Sequence, residues 1–260
     1  MNNEGPILYS VGEAVCTITL NRPERLNAWT TQMEVDFRAA IERASRDDEV
    51  RAILVTGAGR GFCAGVDLSG AEPPARAELT PSEEDFEQRY SYLMRIPKPL
   101  IAAINGAAVG LGLCLTLYCD LRYAAEGAKL GTSFARRGLV AEHGSAWLLP
   151  RLIGEMNALD LLLSGRTIDA SEAAAMGLVR ALPAEGFLDA VSAIARELAT
   201  YSSPRSMRVI KEQVYLSFRQ NLADAVTLAD DEQLRSLTSE DFREGVSSFF
   251  EKRPPSFVGI

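Results

Sequence analysis

The chain of 260 residues is poor in the side chains that serve metal and nucleophilic sites, with one histidine and four cysteines. The lone His143 argues against a serine–histidine–aspartate triad. Cys16, Cys63, Cys114 and Cys119 have an irregular spacing that matches neither a zinc motif nor a disulfide framework. We therefore expect reduced thiols and no bound metal.

Long apolar runs and an excess of positive charge are also missing. No apolar segment approaches the roughly 20 residues that a membrane-spanning helix needs. The net charge of -8 argues against nucleic acid as a partner, because phosphate binding requires a basic surface. The first residues show neither the basic nor the apolar segment of a secretory signal. We expect a cytoplasmic protein that binds neither nucleic acid nor membranes.

Short apolar strands alternate with amphipathic helices in the first part of the chain, which predicts an α/β fold. Alternating residues predict a β-hairpin over residues 7–20. Thr31 and Glu34 form a capping-box pattern that predicts the start of a helix. Val50–Thr56 reads as the next strand, and residues 70–89 predict a polar surface loop.

Strand patterns stop after Pro183, and only helical periodicity follows. Helices are predicted over Phe187–Thr200, Met207–Phe218, Leu222–Leu237 and Glu240–Lys252. This change predicts a core of residues 1–200 and a helical C-terminal module of residues 201–260.

Two glycine-rich loops are the most informative feature of the chain. Residues 61–68 read Gly-Phe-Cys-Ala-Gly-Val-Asp-Leu, and residues 105–112 read Asn-Gly-Ala-Ala-Val-Gly-Leu-Gly. Each loop follows a short apolar run, and glycines permit backbone angles that direct N–H groups into a cavity. Two such loops side by side can hold one oxyanion, which indicates acyl chemistry.

A dinucleotide site is a poor alternative for these glycines. After Gly57-Ala58-Gly59 and after Gly110-Leu111-Gly112, the third glycine of the fingerprint is replaced by Phe62 and Leu115. No Gly-x-Ser-x-Gly elbow occurs either.

The motifs together resemble the crotonase superfamily, that is, the enoyl-CoA hydratase/isomerase family. The resemblance rests on Asn21-Arg22-Pro23, Asn27-Ala28, the two glycine loops, Cys119-Asp120-Leu121-Arg122, Leu148–Gly154, Ala173–Val179 and Phe249–Arg253. It implies a crotonase-type spiral of ββα units whose C-terminal helices form a homotrimer or a hexamer.

The resemblance also implies roles for individual residues. The N–H groups of Val66 and Leu111 would form the oxyanion hole for the thioester carbonyl of an acyl-CoA. Residues implied to contact CoA are Arg25, Leu26, Ala64, Asp67, Leu68, Phe249 and Lys252. The tail residues among them are expected to come from a neighbouring subunit. No cofactor is expected, since CoA is part of the substrate.

The acid–base positions depart from the pattern of hydratases in this family. The two glutamates that hydratases carry align here with Cys114 and Phe134, and neither residue can move a proton as a carboxylate does. Glu142 lies where family members that shift double bonds carry an aspartate. We therefore expect isomerisation with Glu142 as the acid/base group, and His143 to orient Glu142 or to line the pocket.

Other activities stay open at this stage. A rearranged site could hydrate a 2-enoyl-CoA, and Glu142 as a nucleophile or as a base for water would support dehalogenation or C–C hydrolysis. Loss of both glutamates also fits a protein that binds acyl-CoA without converting it. The sequence leaves the acyl chain undetermined.

Overall fold

The computed structural model describes residues 5–69, 87 and 89–260. The strands are β1 (Ile7–Gly12), β2 (Val15–Leu20), β3 (Ala52–Gly57), β4 (Gly61–Cys63), β5 (Leu100–Ile104), β6 (Ala107–Val109), β7 (Leu121–Ala125), β8 (Lys129–Gly131), β9 (Thr167–Asp169) and β10 (Arg180–Leu182). The helices are α1 (Thr31–Arg46), α2 (Leu111–Leu117), α3 (Ser145–Ile153), α4 (Glu155–Ser164), α5 (Ala170–Ala175), α6 (Phe187–Tyr201), α7 (Pro204–Leu216), α8 (Leu222–Leu237) and α9 (Glu240–Glu251). The polar loop predicted over residues 70–89 falls largely outside the described residues.

The larger sheet has six strands in the order β1-β2-β3-β5-β7-β10. Strands β1 and β2 form the predicted antiparallel hairpin, whose turn residues Glu13 and Ala14 both have positive φ. The other neighbours in this sheet are parallel. Strands β3 and β5 are buried along their whole length, as expected for parallel strands covered on both faces.

The smaller sheet has four strands in the order β4-β6-β8-β9. The chain passes from the larger to the smaller sheet three times, from β3 to β4, from β5 to β6 and from β7 to β8. Each passage repeats a similar pair of strands, and these pairs are stacked along a spiral. Together with the helices, they form a mixed α/β fold. Because β4 pairs with β6, the two glycine loops that flank these strands lie next to each other.

Helix α1 begins one residue earlier than the predicted capping box requires. The N-cap is Thr30, whose hydroxyl accepts a hydrogen bond from the N–H of Met33 at 3.2 Å. The Thr31–Glu34 capping box is therefore wrong: Thr31 is already helical, and the Glu34 carboxylate instead pairs with Arg89. The buried face of the helix, including Met33 and Phe37, belongs to the main hydrophobic core.

The last 60 residues form helices α7, α8 and α9. A charged cluster joins α7 to the core, where Asp120 accepts hydrogen bonds from Lys211 at 2.8 Å and from Tyr215 at 2.7 Å. Several large apolar side chains of these helices are exposed: Ile210, Val214, Leu222, Val226, Leu234, Leu237, Val246, Phe249 and Phe250. Among the described helices, none is both long enough and apolar enough to span a bilayer.

Candidate active site

The N–H of Val66 is directed away from its neighbouring strand by a short parallel bridge. Trp29 donates its N–H to the carbonyl of Gly65 at 2.7 Å and accepts from the N–H of Asp67 at 2.8 Å. These bonds lie on either side of Val66, so its own N–H points to the opposite side. Gly65 has φ +101°, a conformation that glycine adopts readily. The local geometry makes Val66 a free donor among the described residues.

Leu111 supplies the second candidate donor from the first turn of helix α2. The N–H groups of a first helical turn have no partner within the helix. The preceding Gly110 has φ +55°, and its N–H donates to the carbonyl of Gly131 at 2.9 Å, which fixes the start of the helix. A Cβ atom placed on Gly65 would lie 4.0 Å from the nitrogen of Leu111. The backbone just before Val66 therefore lies beside the segment from Val109 to Leu111.

The close approach of the two loops depends on glycine at two further positions. A Cβ atom on Gly112 would lie 2.1 Å from the carbonyl oxygen of Cys63, and one on Gly106 would lie 2.1 Å from that of Arg60. Neither position has room for a side chain, since both obstacles are backbone atoms. The glycines thus set the distance between the segments that carry the two N–H donors.

The positions of the two hydratase glutamates are occupied by buried residues of other chemistry. Cys114 lies on α2 one turn after Leu111 and is fully buried, and burial raises the pKa of its thiol to about 12. The thiol is therefore neutral at pH 7. Phe134 is also buried, and its ring lies 3.9 Å from the position of a Cβ on Gly110. Neither side chain is a base at neutral pH.

Glu142 lies in the segment that leads into α3 and packs on α2. Its carbonyl accepts hydrogen bonds from the N–H of Ser145 at 3.0 Å and from the hydroxyl of Ser145 at 2.7 Å. The sulfur of Cys114 lies 3.9 Å from the same carbonyl. The Glu142 backbone thereby contacts α2 at Cys114, which lies one helical turn after Leu111. About 35% of its side chain is exposed, so a ligand can reach the carboxylate.

His143 follows with a ring that is mostly buried. Its φ is +53°, and its carbonyl accepts from the hydroxyl of Tyr118 at 2.9 Å. The ring lies edge-on to Tyr90, with 5.4 Å between centroids, and its Nε2 is 3.6 Å from a carboxylate oxygen of Glu142. Burial, helped by the positive charge of Arg89, lowers the pKa of His143 to about 4. The imidazole is therefore neutral at pH 7.

Four of the residues predicted to contact CoA meet along one edge of the glycine loop. Ala64 donates its N–H to the carbonyl of Leu26 at 3.0 Å, and Arg25 is exposed in the 3-10 turn just before Leu26. Leu68 is 65% exposed two residues beyond Val66. The edge thus offers backbone groups, exposed apolar surface and the exposed guanidinium of Arg25.

The side chain of Asp67 stabilises the loop at the same edge. Its carboxylate accepts from the hydroxyl of Ser69 at 2.5 Å and pairs with Arg22 at 2.9 Å. Hydrogen bonds from Ser69, followed by the one from Arg22, lower the pKa of Asp67 to about 2. Arg22 also donates to the carbonyl of Ala28 at 2.6 Å, which ties this loop to the segment before α1.

Phe249 and Lys252 lie at the C-terminal end of α9, far along the chain from this edge. The tail after α9 is anchored where the carbonyl of Phe257 accepts from Arg51 at 2.5 Å. Arg51 precedes β3, whereas Ala64 lies beyond the opposite end of that strand. The tail of the chain is therefore anchored near the start of β3, whereas the glycine loop of the same chain lies beyond the end of β3.

Sequence reasoning missed the aromatic and charged groups behind His143. Tyr90 lies between Trp29 and His143, with ring centroids 6.5 Å and 5.4 Å away, and its hydroxyl is 3.3 Å from Glu34. Arg89 pairs with the same glutamate. No local pattern connects these residues, because the contacts span 50 or more positions of the chain.

Comparisons with known proteins identify the family of the chain. The profile of the enoyl-CoA hydratase/isomerase family matches residues 10–259. The chain is 37% identical to 1,2-epoxyphenylacetyl-CoA isomerase of Escherichia coli over 97% of its length and 98% of that protein. It is also 37% identical to a probable enoyl-CoA hydratase of Rhodobacter capsulatus, with the same coverage.

A solved structure of a probable enoyl-CoA hydratase/isomerase from Mycobacterium abscessus is similar over 98% of this chain and 99% of that one, with a TM-score of 0.89 and 31% identity. Enoyl-CoA hydratase from Bacillus anthracis gives a TM-score of 0.87 at 30% identity, covering 98% of this chain and all of that one. The protein is thus an enzyme of the enoyl-CoA hydratase/isomerase family in the crotonase superfamily.

Proposed function

We propose that this enzyme moves the double bond of an enoyl-CoA, with Glu142 as the single acid/base group. In the forward reaction, Glu142 takes a proton from the α-carbon of a 3-enoyl-CoA. The electrons move toward the thioester and form a dienolate, whose oxygen accepts hydrogen bonds from Val66 and Leu111. Glu142 then returns a proton to the γ-carbon and leaves a 2-enoyl-CoA. No proton is gained or lost overall, and no redox cofactor or metal takes part.

The observation that carries this proposal is the contact of Glu142 with the helix that begins at Leu111. The backbone carbonyl of Glu142 contacts the sulfur of Cys114, which lies one helical turn from the proposed oxyanion donor Leu111. The carboxylate of Glu142 is accessible. Cys114 and Phe134 stand where hydratases of the family have glutamates, and neither can serve as a base. A carboxylate beside two N–H donors is what proton transfer through an enolate requires.

The contributions that such groups make to the rate in other enzymes are large enough to explain catalysis here. Loss of one oxyanion-hole donor costs roughly 2.7–4 kcal/mol in other enzymes. A positioned general base contributes about 10²- to 10⁴-fold in rate. Two donors and one base therefore account for a substantial lowering of the barrier.

For CoA, we infer binding along the edge formed by Arg25, Leu26, Ala64 and Leu68, together with the backbone at Asp67. The tail that follows Phe249 and Lys252 is anchored at Arg51, just before β3, in its own chain. We therefore infer that these two residues contact the CoA bound to a neighbouring copy in a homotrimer or hexamer. The exposed apolar residues of α7 to α9 provide surface for such an assembly. Lys252 brings a positive charge for the phosphates in an otherwise acidic protein.

Hydration of a 2-enoyl-CoA is the second candidate, because relatives such as the Rhodobacter capsulatus protein are named probable enoyl-CoA hydratases. In that reaction Glu142 would have to activate water and protonate the α-carbon alone. The Escherichia coli relative is named an isomerase of 1,2-epoxyphenylacetyl-CoA, which is isomerisation of an acyl-CoA but of an epoxide and not of an enoyl double bond.

The two candidates are separated by the product. Purified protein is incubated with 3-hexenoyl-CoA and, separately, with 2-hexenoyl-CoA, and products are identified by chromatography and NMR. We expect interconversion of the two enoyl-CoAs, abolished by Glu142→Gln and unaffected by Glu155→Gln, which changes an exposed glutamate at the start of α4. Accumulation of 3-hydroxyhexanoyl-CoA as the main product would show that the enzyme is a hydratase and not an isomerase.

A further inference from the structure

A row of polar and aromatic side chains runs from Glu142 past the rings of His143 and Tyr90 to the exposed ion pair of Glu34 and Arg89. The first step is the 3.6 Å between the carboxylate of Glu142 and Nε2 of His143. This separation is slightly longer than a hydrogen bond. Catalytic hydrogen bonds are often long in free enzymes and shorten when substrate binds. A small rotation of either side chain is enough to close the distance.

The second step is the support behind the imidazole. Tyr90 is buried and presents its ring edge-on to His143, and its hydroxyl lies 3.3 Å from the carboxylate of Glu34. Arg89 donates from Nε to the same carboxylate at 2.6 Å, and a second bond from its Nη2 completes a two-pronged pair. Glu34 lies on α1, a rigid 16-residue helix. The ring of His143 therefore packs against Tyr90, whose ring also contacts Trp29 and whose hydroxyl lies next to Glu34.

The third step is the backbone of His143. Its positive φ is a conformation that non-glycine residues rarely adopt. The hydroxyl of Tyr118 holds the carbonyl, and a Cβ on the next residue, Gly144, would lie 2.4 Å from that hydroxyl oxygen. Both the ring and the backbone of His143 are thus held beside Glu142.

The geometry points to His143 as a positioning residue, which donates its Nε2–H to the Glu142 carboxylate and is held in place by Tyr90 and Glu34. The inference rests on the proposed role of Glu142 and adds a role for residues outside the family motifs. A neutral donor can hold the carboxylate in one orientation without forming an ion pair with it. The deep position of the ring accounts for its neutrality, since burial disfavours the imidazolium.

The test compares two variants that both tolerate a positive φ. His143→Asn keeps an N–H donor, and His143→Gly removes it, while both residue types adopt left-handed backbone readily. The readout is kcat and KM for isomerisation of 3-hexenoyl-CoA at pH 7.5, with the active fraction measured by titration with hexanoyl-CoA. We expect His143→Gly to lower kcat roughly 10- to 100-fold with KM changed less than about threefold. His143→Asn should recover most of this loss.

The outcomes separate this inference from the proposed function. If Glu142→Gln is inactive but His143→Gly retains the wild-type kcat, the positioning role is overturned and the role of Glu142 stands. An equal loss of kcat in the Asn and Gly variants also overturns it, because the donor would then have no effect. If Glu142→Gln is fully active, the proposed function itself fails.

Discussion

Trp29 and Val66 pair as an isolated parallel bridge in which Trp29 makes both hydrogen bonds and the N–H of Val66 faces the other way. The indole of Trp29 also packs at 6.5 Å against Tyr90, the residue behind His143. Trp29 thus contacts the segment with the proposed oxyanion donor through its backbone, and it contacts Tyr90 through its ring. Trp29 and Tyr90, which are both buried, connect the two parts of the proposed site.

We expect Gly112→Ala to destabilise the protein and to impair catalysis. The new methyl group would meet the carbonyl oxygen of Cys63 at 2.1 Å, and overpacking of this kind costs typically about 1–3 kcal/mol. Gly12→Ala is the matched control, since nothing lies within 4 Å of a Cβ at that strand position. Urea unfolding of both variants checks the prediction. Equal unfolding free energies for the two would contradict it.

The single histidine permits an unambiguous titration by NMR. Burial and Arg89 lower the pKa of His143 from 6.5 to about 4, so its imidazole signals should not shift between pH 8 and pH 5.5. The unfolded chain takes up this proton near pH 6.5, and the folded chain only near pH 4. The free energy of unfolding therefore falls as the pH drops through this window, by roughly 3 kcal/mol in total.

The His143→Asn variant should lose this part of the pH dependence of stability. A titration midpoint near 6.5 in the folded wild-type protein would show that the ring is solvated, which contradicts the packing against Tyr90.

The thiols should be inert in the folded protein. All four cysteines are free and buried, and burial raises their pKa values, to about 11 for Cys16 and Cys63 and to about 12 for Cys114 and Cys119. We expect a thiol-specific disulfide reagent at pH 8 to modify none of them within minutes, and all four after denaturation. Rapid modification of Cys114 with loss of activity would contradict the buried position given to it here.

Lys211→Met should weaken the attachment of α7 to the core. Asp120 accepts hydrogen bonds from Lys211, from Tyr215 and, at 2.7 Å, from the N–H of Leu100, so loss of the ammonium leaves a largely buried carboxylate with less compensation. We expect a loss of about 2–3 kcal/mol in unfolding free energy. Lys129→Met, at an exposed position without an ion-pair partner among the described residues, serves as the control. An unchanged stability for Lys211→Met would exclude this anchoring role.

Much of the architecture was predictable from local patterns, with differences at the ends of elements. The hairpin, the strand after Val50 and the helices after Pro183 follow from periodicity, since burial of one face imposes it. The N-cap of α1 was placed wrongly because Thr30 and Thr31 are equally good caps by residue type, and in the structure the hydroxyl that accepts the N–H of Met33 is that of Thr30.

The site was only partly predictable. The glycine loops indicate an oxyanion hole, because free N–H groups follow from local backbone geometry. The assignment of Glu142 as the acid/base group came from the family resemblance, and Tyr90 was missed entirely. Its contact with His143 joins residues 53 positions apart, and no sequence pattern encodes such a distance.

The central claim is that Glu142 carries the proton between two carbons of the substrate. The most direct measurement follows 3-hexenoyl-CoA by NMR and records the initial rate at which its double bond moves to give the 2-enoyl product. The account predicts the same rate for the wild type and for Glu155→Gln, and a decrease of at least about 100-fold in Glu142→Gln. Migration of the double bond by Glu142→Gln at the wild-type rate would contradict it.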